Sequence, residues 1–275
     1  MQWSFAAPAP ELTRHIGTYY LATSERSAID DIQRADSGHF RMFFKGSGYQ
    51  DFASGKRVHA PPAALIGPTS QCHSYSVSGP LRFFGVSLLP AAWGGIFPAA
   101  ANDLSDDACD AAALIGAPVE NVYMRMRECD DIAQLKALAD AFFIRRLMPL
   151  PAGHGRVVEA IRDWLASSLA PDLATLYASL ALSERQITRI ANRYWGAPPK
   201  ALARKYAALR TASWLVEHGG TPNADAIAHY ADQSHLIREV RRVTGQTPRQ
   251  LRTMGNLIMR ASLHPANFRE LEDRG

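Results

Sequence analysis

SERQITRIANRYWG, residues 183–196, and DQSHLIREVRRVTG, residues 232–245, are one pattern written twice at an offset of 49 residues. Aligned without a gap, Ile187 falls on Leu236, Arg189 on Arg238, Ala191 on Val240, Arg193 on Arg242 and Tyr194 on Val243. Pro199 and Pro248 coincide three residues beyond Gly196 and Gly245. A repeat of this period marks two copies of one supersecondary unit.

On a helical wheel the first copy separates into two faces. Ile187, Ile190, Ala191 and Tyr194 gather on one side, and Arg185, Thr188, Arg189 and Asn192 on the other. The first set is a core stripe. The second is two guanidiniums flanked by two short hydrogen-bonding side chains, the chemistry that reads base edges in a major groove. Arg193, on the flank, suits a phosphate. A solvated basic face has the same composition, and one helix alone does not separate the two readings. The second copy repeats the division: Leu236, Val240 and Val243 form the stripe, while Ser234, Ile237, Arg238 and Arg241 face away. Both copies therefore present an arginine at the same outward place. Ile237 is apolar there, a match for a thymine methyl.

The ends of both units are signalled as well. Ser183, with Gln186 at the capping-box position, and Asp232 are N-cap residues. Gly196 and Gly245 stand where a helix C-terminus takes a left-handed residue, and the prolines beyond them prevent continuation. Between the units, PPKALARKYAALRTASWLVEHGG (198–220) predicts one helix of about 20 residues, hence roughly 30 Å. That approaches the ~34 Å at which major grooves recur on one side of a duplex. Upstream, RVVEAIRDWLASSL (156–169) and DLATLYASL (172–180), the latter capped by Asp172, complete a helical half.

A length of 275 residues predicts two domains. Splitting the chain near Gly153 gives 13 Lys/Arg against 15 Asp/Glu before it and 17 against 11 after it, net −2 and +6. The basic excess travels with the repeat and points to a polyanionic partner for that half. Cys72, Cys109 and Cys129 are widely spaced. With no basic, apolar leader at the N-terminus, they predict a reducing, cytoplasmic setting. The uncharged stretch 83–102 is interrupted by Gly85, Pro90, Gly94, Gly95 and Pro98, so turns rather than a membrane span are expected.

The first hundred residues carry short apolar runs between Gly/Pro punctuation: HFRMFF (39–44) before a turn at GSG, YQDF before a turn at Ser54 and Gly55, AALIG (63–67) and LRFFGVSLL (81–89). These predict an antiparallel β sandwich or barrel, cupin-like, a shape that often holds one ligand. Phe40, Phe43, Phe44, Tyr49 and Phe52 are candidates to line such a pocket, with Phe40, Phe43 and Tyr49 foremost; a plain core role competes for each. LSDDACDAAALIG (104–116) predicts a capped helix and DDIAQLKALADAFFIRRLMPL (130–150) a longer one. The apolar face of the latter packs on the β half, on the helical half or on a second copy. PLPAGHG (149–155) is the expected linker.

The β region also admits a metal reading. His39, His59 and His73 lie in the β region, and three histidines in a barrel can hold a metal, which would make the chain a β-barrel metalloenzyme. They share no ligand motif, and no phosphate loop, nucleophile elbow or paired cysteines are present. No metal, no cofactor and no catalytic residue are expected.

The strings LSERQITRIANRYWGAPPKALARKYAALRTA (182–212) and ADQSHLIREVRRVTGQTPRQLR (231–252) resemble the DNA-binding domain of AraC/XylS-type transcription regulators. That resemblance implies a double helix-turn-helix domain and DNA contacts from Arg185, Thr188 and Arg189 and from Gln233, Ser234, Ile237 and Arg238. It also implies a preceding β-rich effector-sensing domain; FFGVSLLPAAWGGIF (83–97) is similar to an N-terminal segment of some members. The partners then expected are double-stranded DNA, a small-molecule effector, a second copy of the chain and RNA polymerase, with no membrane. Members usually carry glycine in the turn before DQSH, whereas this chain reads IAHYADQSH. Either His229 takes that place or a few residues are missing from the preceding helix. A DNA-binding-incompetent adaptor is the competing reading of the altered unit. The expected architecture is two-domain α+β: residues 1–150 for sensing or dimerisation and 156–255 for DNA binding.

Overall fold

Strand and helix divide the chain where the glycine, proline and apolar patterns change. The computed structural model describes residues 1–253, 259, 262–264 and 267–272. The first part is a single antiparallel sheet of β1 (Gln2–Ala6), β2 (Ile16–Ser24), β3 (Ala28–Gln33), β4 (His39–Asp51), β5 (Arg57–His59), β6 (Ala63–Ile66), β7 (His73–Leu88) and β8 (Ala108–Asp110). Its main path runs β1-β2-β7-β4-β6-β8, with β3 on β7 and β5 on β4. The long strand β7 takes β2 along residues 81–88 and β3 along residues 73–78, and pairs β4 on its other edge.

Two expectations are corrected here. The GSG at 46–48 is no hairpin turn: β4 continues through it, with register shifts on either side of Lys45 and Gly46 at φ +82°. Glycine there serves a bulge, which bends a strand without ending it. Residues 104–116 are likewise not one helix. Ala108–Asp110 forms β8 on the edge of β6, and only Ala111–Ile115 is helical, capped by the Asp110 carboxylate accepting from Ala112 N at 2.9 Å.

The helices are α1 (Ala92–Gly95), kinked at Trp93 and Gly94, α2 (Ala111–Ile115), α3 (Ala117–Met126) and α4 (Ile132–Ile144), then α5 (His154–Ser167), α6 (Leu173–Ala178), α7 (Glu184–Trp195), α8 (Pro199–Glu217), α9 (Ala224–His229), α10 (Gln233–Thr244) and α11 (Pro248–Arg252). The stretch 83–102 ends β7 and turns at α1; among the described residues no helix is long and apolar enough to cross a membrane. Asp131 caps α4 by accepting from Ala133 N and Gln134 N. Leu135, Ala139 and Phe143 of α4 are buried, Phe143 edge-on to Phe40 of β4, so this face packs on the chain's own sheet. Asp140 fixes the angle, its carboxylate accepting from Tyr19 Oη at 2.9 Å and Ala9 N at 3.0 Å.

One continuous apolar cluster runs from Phe84 and Val86 in the sheet through Phe143 to Trp164, Tyr194, Leu209 and Val240 in the helical part. Burying one such large side chain stabilises by roughly 1.5–3 kcal/mol. The two parts of the chain therefore share a core rather than merely touch.

Candidate DNA-binding face and sensor cavity

The repeat folds into two helix-turn-helix units, α6–α7 and α9–α10, joined by α8. Ser183 and Gln186 form the expected reciprocal capping box, and Asp232 Oδ1 accepts from His235 N at 2.7 Å. Both helices end on a left-handed glycine, Gly196 at φ +81° and Gly245 at φ +73°. In α7, Ile187, Ile190, Ala191 and Tyr194 are buried, joined by Trp195. Arg185, Arg189 and Arg193 are exposed, and Thr188 and Asn192 are half-buried between them. In α10, Leu236, Val240 and Val243 are buried; Gln233, Ser234, Arg238 and Arg241 are exposed, and Ile237 is half-buried. Among the described residues, the side chains of Arg185, Arg189 and Arg238 have no ion-pair partner. Their donors are left for solvent or for another molecule. At the far end of α7, His154 Nδ1 lies 2.8 Å from Tyr194 Oη; burial, then the charges of Arg193 and Arg189, push this imidazole below its ordinary pKa.

The second turn departs from the first. α6 ends at Ala178 and five residues lead to α7, whereas α9 ends at His229 and three lead to α10. Tyr230 leaves α9 in extended conformation, φ −93° and ψ 138°, so no left-handed residue is needed and none is present. Its ring is buried, and its hydroxyl lies 3.3 Å from Thr211 Oγ1 of α8. Tyr230 thus plugs the second unit against α8.

On the sheet a cavity of about 420 Å³ opens between strands and the C-terminal tail. Trp3, Tyr20, Phe43, Tyr75 and Phe83 wall it, Tyr49 stands at its rim, and Arg34, Asp36, His39 and Arg41 make its polar side. Alternation along β4 turns His39, Arg41 and Phe43 toward it and Phe40 away. Phe40, expected to line a pocket, instead packs with Phe97 and Phe143 in the core.

The polar side is a directed chain of contacts. Arg41 Nε donates to Tyr20 Oη at 3.1 Å, Tyr20 Oη lies 2.9 Å from His39 Nδ1, and His39 Nε2 stands 3.1 Å from Asp36 Oδ2. Burial lowers the His39 pKa, and the neighbouring Asp36 carboxylate opposes that shift. Burial alone would raise the Asp36 carboxyl, but Arg34 and His39 hold it well below the usual carboxylate range. His73 is buried against Phe52 and pushed down to about 3, chiefly by desolvation. His59 lies instead on the edge strand β5, beside Tyr49. The three histidines do not meet, and among the described residues no group of His, Cys, Asp or Glu is placed to hold a metal.

Residues 176–254 match the family described as Helix-turn-helix domain, from the second half of α6 through the second unit, with the helix that joins the two. The C-terminal part of the chain therefore carries an AraC-type helix-turn-helix domain, the DNA-binding module of a transcription regulator. Residues 4–110 match a second family, described as Domain of unknown function (DUF6597), which covers the sheet from Ser4 in β1 to the end of β8. No curated protein sequence matches significantly. Among solved structures the chain is similar to ToxT from Vibrio cholerae, at 10% identity and TM-score 0.46, covering 84% of this chain and 100% of that one. A ToxT structure bound to an unsaturated fatty acid gives 12% identity, TM-score 0.44 and coverage of 86% and 96%. The AraC-like transcriptional activator CuxR gives 9%, 0.25, and 76% and 80%.

The β part grips the C-terminal ends of both recognition helices. Ser105 Oγ donates to Gly196 O at 2.8 Å, and Gly196 is so close to Pro68 that a Cβ would stand 2.9 Å from its ring. At α10, Cys72 N donates to Arg242 O at 3.0 Å, Ala35 N to Val243 O at 2.7 Å, and Arg242 Nη1 to Ser70 O at 2.6 Å. Carbonyls that a helix end leaves unpaired are thereby satisfied by strands and loops of the other half. Lys205 of α8, fully buried, donates to Asp36 O at 2.7 Å; desolvation pushes its ammonium down to about 8 against the pull of Glu270 and Asp36. None of Arg34, Asp36, Arg41 or Lys205 stood out in the sequence as a site residue. The available signal was the alternation of β4, which puts charge and aromatics on one face.

Proposed function

We propose that this transcription regulator contacts DNA through both units and senses, in the cavity between the sheet of residues 1–150 and the C-terminal tail, an anionic molecule with an aromatic or otherwise apolar body. In α7, Arg185, Thr188, Arg189 and Asn192 read base edges and Arg193 holds a phosphate. In α10, Gln233, Ser234, Ile237, Arg238 and Arg241 take the corresponding places. Residues 156–255 form the DNA-binding domain.

Arg41 carries the sensing half of the proposal. It lines the cavity with its guanidinium 5.5 Å above the Phe83 ring, and its hydrogen-bond partners, Tyr20 Oη and Gln33 Oε1, are neutral. Among the described residues no carboxylate pairs with it. A half-buried cation without a counter-ion is poorly solvated, and a carboxylate, sulfonate or phosphate in the cavity restores a charge-assisted hydrogen bond while the aromatic walls take the apolar body.

The test is thermal unfolding with aromatic and aliphatic carboxylic acids and their neutral amides. Acids raise the midpoint in proportion to the logarithm of concentration and amides do not; Arg41→Ala abolishes the rise. Equal stabilisation by the amides, or an undiminished rise in Arg41→Ala, sinks the sensing reading.

A further inference from the structure

The helix-turn-helix match stops at residue 254, yet the described residues beyond it return to the sensor cavity. Met259, Ser262, Asn267 and Arg269 close one side of it. Arg34, only 3% exposed, holds them: its Nε donates to Ser262 O at 2.9 Å, its Nη2 to Asn267 O at 3.4 Å, and its guanidinium lies 5.0 Å from the Phe268 ring centre. The approach is close enough that a Cβ on Gly17 of β2 would stand 3.1 Å from Arg269 Cβ. The same tail faces α8 on its other side, where buried Glu270 meets the Tyr206 hydroxyl and lies in the field of Lys205. Lys205 in turn grips the carbonyl of Asp36. Cavity wall, tail and the helix between the two DNA-binding units are therefore one contiguous buried polar assembly.

We propose that this tail, the described residues from 259 to 272, is the lid of the sensor cavity and the element that transmits its state. Closed, it locks α8 and α10 onto the sheet; released, it lets them part from it. The inference rests on the cavity being the effector site. An occupant touches Met259, Ser262 and Asn267 only when the lid is shut, so it favours the closed state by that difference in contacts.

Two amides report the lock directly, because Ala35 N and Cys72 N donate to carbonyls of α10. Hydrogen exchange of the full chain, read by mass spectrometry, is the measurement. Phe268→Ala removes the ring under Arg34 without touching the cavity lining. It is expected to speed exchange about tenfold or more in the tail and also at Ala35 and Cys72, while the interior of α7 stays protected. A tail that exchanges faster with Ala35 and Cys72 still protected overturns the proposal. Should Phe268→Ala lose protection throughout, Arg34→Lys serves instead: it keeps the charge beside Asp36 but loses the forked grip on the tail, and the same two outcomes decide.

Anilinonaphthalene sulfonate, an anionic aromatic probe, supplies the second arm. In the wild type it is expected to slow exchange in the tail and at Ala35 and Cys72, and Arg41→Ala to remove that effect. Binding that leaves those amides unchanged overturns the lid. Absence of binding overturns the effector reading alone, since Phe268→Ala tests the lock without any ligand.

Discussion

Ile190 in α7 and Glu239 in α10 occupy the same place in the 49-residue repeat, and they are 4% and 3% exposed. Beneath α7 that place is filled by hydrocarbon, with Trp195 beside it. Beneath α10 it holds a carboxylate clasped by Arg204, Nε to Oε2 at 2.8 Å and Nη2 to Oε1 at 2.5 Å, and by Arg242 at 3.2 Å, while Thr244 replaces the tryptophan. Burial would raise the Glu239 carboxyl, but the Arg204 hydrogen bonds and the Arg242 charge outweigh it and hold it low. The first unit is therefore fixed by volume and the second by charge and direction. A buried ion pair adds little net stability over a well-packed apolar group, but breaking it is costly and its geometry is restrictive. The same outward arginine is thus set on two differently supported helices.

The contrast breaks most simply at those paired positions. Ile190→Ala is expected to destabilise the fold by about 2–5 kcal/mol in denaturant titration, independently of salt. Glu239→Ala is expected to cost less, about 1–3 kcal/mol, because Arg204 is largely exposed and rehydrates once released. Equal costs for the two would remove the distinction.

Lys205 sharpens the contrast through pH. Its folded pKa of about 8 lies below the ordinary 10.5, so between these values the unfolded chain holds a proton that the folded chain does not. This group's contribution to stability therefore rises with pH across that window and is flat below it, by roughly 2–4 kcal/mol in all. Lys205→Met is expected to flatten that rise in denaturant titrations between about pH 7.5 and 10. A rise that persists in the variant assigns it elsewhere.

At the DNA, Arg189→Ala and Arg238→Ala should each weaken operator binding by roughly 1–3 kcal/mol in a gel shift. The larger loss is expected at Arg189, where Thr188 and Asn192 flank it with polar groups; Arg238 has Ile237 beside it. An equal or reversed order means that the apolar neighbour does not weaken readout, and no loss in either variant argues for the adaptor. The smallest effect belongs to the caps. Ser183→Ala and Asp232→Ala should each cost about 1 kcal/mol of stability, with Asp232→Ala the larger because a charged cap also meets the positive end of α10.

The helical part was legible because each of its elements is bounded by chemistry that acts locally. Ser183 and Asp232 start helices, Gly196 and Gly245 end them, and the 3.6-residue spacing of Ile187, Ile190, Ala191 and Tyr194 names the buried side. The altered turn at Tyr230 was visible as a departure, but its solution depends on a partner 19 residues away, Thr211. The sheet was less legible. A glycine at 46 signals a turn in isolation, and only pairing along both edges of β4 and β7 makes it a bulge. β8 carries too few residues to announce itself against the helical composition around it, and its strand character comes from the free edge of β6. The cavity's polar side joins residues 34–41 to the tail more than 220 positions away, a juxtaposition that no local pattern encodes.

The bonds from Ala35 and Cys72 to the last carbonyls of α10 also bear on how the chain is made. Synthesis proceeds from the N-terminus, and the sheet emerges before α10 does. The amides that finish the second recognition helix thus leave the ribosome before its own residues do, and a β part folded by then is a template for its reader. A circular permutant that delivered α10 first would have to complete that helix end without it, and its folding is expected to slow at this step while the finished structure stays the same.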